Sequence, residues 1–165
     1  ESMAHRAFVR LAAAAFALSL AVSLLAAAPK SGVTGSFVLN GTDAHLTHVR
    51  AIRTELDKKQ SGYGVLLSAR PAEGSILSWR TADSAERGSF IYILFDAKGE
   101  VWVAELCHSA RKGGRFGVAT ELQKVAFAVQ GDHLTAHVRT AGEQDFLGDR
   151  YTIDLTIDTM LEKAP

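Results

Sequence analysis

The sequence predicts a mainly β protein: one antiparallel β-sandwich or barrel-like domain behind an N-terminal export signal. Three observations carry this. Tyr151, Ile153, Leu155 and Ile157 alternate with Thr152, Asp154, Thr156 and Asp158, the period of a strand buried on one face. Two hairpins are legible, one of residues 90–95 and 101–107 around Asp96-Ala97-Lys98-Gly99, the other of residues 125–129 and 134–138 around Gln130-Gly131-Asp132. No convincing crossover helix separates the strands, so a sheet folded over itself is favoured over a parallel one.

The chain opens with its address. Arg6 and Arg10 precede residues 11–28, a run of 18 residues without a charge that ends Ala26-Ala27-Ala28-Pro29. A basic start, an apolar stretch and a small-residue exit make a secretory signal peptide. Pro29 hinders a cut directly after Ala28, so the expected cleavage follows Ala26 or Ala27. An uncleaved anchor is the rival reading, because 18 residues just reach the lower limit for a membrane span. Their richness in alanine, which partitions poorly into lipid, favours cleavage. The expected organisation is a signal at residues 1–28 and a single all-β domain at residues 29–165. Glu1 and Ser2, ahead of Met3, are read as an added scar. An alanine-rich signal of this kind points to the bacterial periplasm or the extracellular space.

Beyond it, Asn40-Gly41 marks a tight turn. Residues 44–59 are ambiguous. Leu46, Val49, Ile52 and Leu56 form a helical stripe, while the β-branched content of residues 45–54 suits a strand; periodicity tips the expectation to a short helix at about 44–59. Val65, Leu66 and Leu67 read as a strand that stops at Arg70-Pro71. Residues 71–88 read as a long loop with one short element. Residues 90–95 are apolar at every position, as in a strand covered on both faces. Trp102, within a strand, is assigned to the core, and Trp79, in the long loop, to the surface or a pocket.

Composition narrows the function. The 165 residues suit one domain, and 18 Lys+Arg balance 18 Asp+Glu, which disfavours nucleic acid as a partner. One cysteine makes neither an internal disulfide nor a thiolate zinc site. The sequence contains no HExxH, GxSxG or Walker pattern. His45 and His48 would share a helical face but point to opposite faces of a strand. With His108 they are weak metal candidates, and the expectation is no metal and no cofactor. Cys107 reads as a small buried hydrophobe. His133 and His137 lie about 13 Å apart on one strand, too far for one metal, and Asp154 and Asp158 read as solubilising residues.

What remains is binding. Trp79 and the basic loop residues Arg111, Lys112 and Arg115 are the expected binding positions, since sheet scaffolds present working residues on loops. The leading expectation is a non-catalytic binding or interaction module with a protein or small-molecule partner, no nucleic acid, and membrane contact only through an uncleaved signal. A lipocalin-like carrier of a small apolar ligand is the alternative, if the sheet closes around a cavity. A His-based metal-dependent or hydrolytic enzyme is the third reading.

Overall fold

The computed structural model of the chain describes residues 31–57, 60–82, 84–118 and 120–163. The segment read as an export signal lies outside the described residues. Among the described residues, no helix is long and apolar enough to cross a membrane.

The protein is mainly β, one sheet curled into a half-barrel with almost no helix. In chain order the strands are β1 (Gly32–Leu39), β2 (Thr42–Asp43), β3 (His48–Asp57), β4 (Gln60–Ser68), β5 (Phe90–Asp96), β6 (Val101–Cys107), β7 (Phe116–Val118), β8 (Leu122–Gln130), β9 (His133–Thr140), β10 (Gln144–Phe146) and β11 (Asp149–Glu162). A 3₁₀ turn (Ile76–Thr81) and the single-turn α1 (Ser84–Arg87) lie between β4 and β5. β11 holds the sheet together. It pairs antiparallel with β1 on one side and with β9 and β10 on the other, and its last two residues, Leu161 and Glu162, pair parallel with Ala51 and Ile52 of β3. From β3 the sheet continues antiparallel through β4, β5, β6 and β7.

Curling brings the inner faces of the two halves together. Phe37, Leu39, Ile153, Leu155 and Val138 from one half join Val65, Leu67, Ile91, Ile93 and Phe95 from the other in one buried cluster. The strict alternation of β11 supplies Tyr151, Ile153, Leu155 and Ile157 to it. Asn40 and Gly41, both at positive φ, turn β1 into β2, and the Asn40 amide donates to Asp149 Oδ1 at 2.9 Å.

Residues 48–57 are strand, which corrects the expected helix at about 44–59. The stripe that suggested a helix is divided between two faces. Leu46 and Val49 pack into the inner cluster, while Ile52 and Leu56 pack outward. Where both faces of a strand are covered, its alternation is hidden and a helical spacing arises by coincidence.

The outer cover exists because residues 71–88 cross the outside of the second half. Ile76, Trp79 and Ala82 pack there with Leu66, Phe90, Tyr92, Leu94 and Cys107 to form a second cluster. Ser75 caps the 3₁₀ turn, its hydroxyl accepting from the Leu77 amide. β5 is therefore buried at Phe90, Ile91, Tyr92, Ile93, Leu94 and Phe95 alike, which accounts for its unbroken apolar run.

Candidate functional site

The residues singled out by sequence do not converge on one place. Arg111 sits inside the structure rather than on a binding loop, its side chain only 9% exposed. Its Nε donates to Asp149 Oδ2 at 2.8 Å and its Nη1 to the carbonyls of Gly113 and Gly114. The guanidinium also lies 5.1 Å and 5.4 Å from the Phe116 and Phe146 ring centroids. Arg115 faces Glu105 at 3.8 Å, and Lys112 is exposed. The basic loop is a clasp whose charge is largely answered within the fold.

The three histidine candidates are likewise apart in role. His45, at positive φ and largely exposed, pairs with Asp43 at 3.0 Å. His48 Nδ1 lies 3.0 Å from the Thr47 hydroxyl. His108 is fully buried. Its Nδ1 accepts from the Ala110 amide, which leaves Nε2 to donate to the Thr42 carbonyl at 3.0 Å, and the ring meets Phe37 edge-on. Burial holds its pKa below the ordinary value, so this imidazole is a neutral structural wedge. Among the described residues no group of three or more His, Cys, Asp or Glu is arranged to hold a metal.

Two pairings escaped the sequence reading. On the outer face of β9 and β11, His133 meets Asp158 and His137 meets Asp154, each at 2.7 Å. Thr156 lies opposite His137 in the antiparallel register, so both contacts are diagonal ones. Only the pairing of the two strands makes the four residues neighbours.

The tryptophans exchange places. Trp79 is 3% exposed, so it belongs to the outer cluster and not to the surface, although it still lines a cavity; Trp102 is 46% exposed instead of buried. A bulge explains the second. Leu94 pairs with Val103 but Phe95 pairs with Val101, so Trp102 has no residue opposite it and turns outward.

The outer face of β3–β6 is where a built site emerges. Among the described residues, the buried side-chain polar atoms without a hydrogen-bond partner are Trp79 Nε1 and Tyr92 Oη. Both belong to the outer cluster, and each residue lines a different hollow beside the crossing segment. The first, of about 290 Å³, lies among Arg70, Pro71, Glu73, Trp79, Glu86 and Arg87; the Arg87 guanidinium stands 4.7 Å from the Trp79 ring centroid. The second, of about 340 Å³, is a groove walled by Leu56, Leu77, Leu94, Val103 and Trp102, with Thr54, Glu55, Arg80 and Tyr92 as polar groups. Arg80 lies 5.9 Å from the Tyr92 ring centroid. Gly64 makes room for the phenol, since a Cβ there would come within 2.6 Å of its oxygen. Desolvation raises the Tyr92 pKa, opposed by the charge of Arg80, so the hydroxyl keeps its proton at neutral pH.

Neither hollow is lined by histidine, cysteine or serine. The groove has mainly apolar and aromatic walls with a few polar groups, whereas the first hollow is walled mostly by charged side chains around Trp79 and Pro71. No family model, curated protein or solved structure matches the chain.

Proposed function

We propose that this protein is a non-catalytic binding module of the bacterial periplasm or extracellular space, and that it binds through the outer face of β3–β6 beside residues 71–88. The observation that carries this reading is the location of the two unpartnered polar atoms. An enclosed donor without an acceptor costs about 1–3 kcal/mol, and native folds leave few of them. Both occur on one face, each on a residue lining a hollow. Trp79 thus stays in the proposed site. Arg111, Lys112 and Arg115 do not, because Arg111 is spent on Asp149 and two carbonyls.

The carrier alternative needs space inside the curl, whereas Phe37, Leu39, Ile93, Phe95 and Leu134 occupy it, each fully buried. The enzyme alternative needs convergent polar groups, and His45, His48 and His108 each answer to a different neighbour.

A thermal-shift screen of the full chain against small metabolites, glycans and peptides, with hydrogen exchange on each hit, tests the binding reading. Hits should protect residues 71–88 and the start of β6. Protection confined to the inner face, or to β9 and β11, would overturn the proposed face. Export is tested separately by expressing the chain in a bacterium and sequencing the recovered N-terminus. A new terminus at Ala27 or Ala28 is expected, and an intact cytoplasmic chain refutes it.

A further inference from the structure

We infer that the groove between β3, β6 and the 3₁₀ turn is a site for a small amphipathic carboxylate, its apolar part against Leu56, Leu77, Leu94 and Trp102 and its carboxylate on Arg80 and the Tyr92 hydroxyl. This rests on the binding reading above and names the ligand class for one of its two hollows.

The apolar half of the argument is exposure. Leu77 and Trp102 are 45% and 46% exposed, and both line the groove. Single exposed apolar side chains are ordinary on a protein surface. Two large ones walling the same concavity, with Leu56, Leu94 and Val103 beside them, make a surface that gains by being covered. At about 340 Å³ the groove falls at the small end of ligand sites, which suits a small ligand.

The polar half is charge complementarity. The Tyr92 hydroxyl is enclosed and has no partner, and a neutral phenol makes its strongest hydrogen bond to an anionic oxygen. Arg80 is exposed and stands over that same ring. Among the described residues it has no carboxylate within ion-pairing distance. A guanidinium is charged at any physiological pH and presents a fork that fits a carboxylate. Glu55 also lines the groove and is exposed to solvent, whereas Arg80 stands over the Tyr92 ring. A single guanidinium beside the unpartnered Tyr92 hydroxyl suits one carboxylate and disfavours a polyphosphate or other polyanion.

The other hollow carries no comparable case. Its lining is mostly charged, Arg70 and Arg87 with Glu73 and Glu86, so it offers little apolar wall, and the Trp79 face is already taken by Arg87.

The test is calorimetric titration of the full chain with 3-phenylpropanoate and octanoate, and with their uncharged amides. Tryptophan emission is read in parallel, because Trp102 is exposed and Trp79 is not. At least one acid should bind saturably at one site and shield a tryptophan from iodide quenching. The matching amide should bind at least about tenfold more weakly, the worth of one charge-assisted contact. Arg80→Met should weaken the acid by about the same factor and leave the amide unchanged. Tyr92→Phe should weaken the acid several-fold while retaining the wild-type circular dichroism. Equal affinity for acid and amide, or an acid affinity indifferent to Arg80→Met, overturns the inference. Should neither acid bind while screening hits still protect residues 71–88, the ligand class is wrong and the binding face stands. If no hit protects that face, both fall.

Discussion

Arg111 and Asp149 meet at 2.8 Å across the gap between the loop after β6 and the start of β11. Asn40 donates to the same carboxylate from the β1–β2 turn. The Asn40 amide, and after it the Arg111 guanidinium, hold the Asp149 carboxyl below its ordinary pKa. Three segments far apart in sequence are thereby fastened at one end of the curl.

Arg111→Ala should therefore destabilise the fold, whatever it does to binding. Loss of the two carbonyl hydrogen bonds and of the cation beside the stacked Phe116 and Phe146 rings is expected to cost about 2–3 kcal/mol, apart from the Asp149 pair. Arg111→Lys should recover only part, since an ammonium lacks the planar fork. Urea unfolding of the three proteins measures this, and an Arg111→Ala chain as stable as wild type would contradict it.

Gly35 is held at φ +107°, and a Cβ there would lie 2.0 Å from the Asp154 carbonyl oxygen. Strain and overlap with backbone both oppose any other residue. Gly35→Ala should cost at least about 3 kcal/mol, read as a fall in the thermal midpoint or as insoluble expression. Asn40→Gly, at a position already at positive φ, should by contrast lose mainly its side-chain bonds to Asp149 and Arg150.

His108 sets a pH dependence. Desolvation lowers its folded pKa below the ordinary 6.5, so on acidification the unfolded chain takes up a proton that the native imidazole refuses. Stability should be complete above about pH 6.5 and fall as pH drops from there through the lowered folded value. The slope from this one residue is limited to about 1.4 kcal/mol per pH unit. Unfolding midpoints at several pH values between 7.5 and 5 test this, and His108→Gln should flatten the profile; an unchanged profile would exclude His108 as its cause.

Cys107 is fully buried within the outer cluster. Its reaction with a thiol reagent such as dithionitrobenzoate should be slow in the native protein and immediate in denaturant. Rapid native labelling would show that residues 71–88 lift readily from the sheet.

Much of the architecture was legible because β11, β9 and the β5–β6 hairpin obey period two or carry a plain turn. β3 was not, because Ile52 and Leu56 have an outer layer to pack against, and that layer comes from residues 71–88, a segment with little periodicity of its own. The site was less readable still. Trp102 is outward only because one bulge shifts the register between Leu94 and Phe95. Tyr92 and Arg80 meet only because the crossing segment lies over β5. His133 and Asp158 become partners through strand pairing, and no spacing along the chain announces them. Trp79 was the one local signal in the crossing segment; its indole is buried in the outer cluster and lines a hollow.

The sharing of β11 among β1, β3, β9 and β10 has a temporal consequence. Ribosomal synthesis delivers that strand after its partners, so β1 must wait for residues 151–158 before it can be zipped into place. Such distant pairing slows folding and leaves the early strand edges bare for as long as the nascent chain is incomplete. A polypeptide built this way cannot complete its sheet until residues 149–162 have been made.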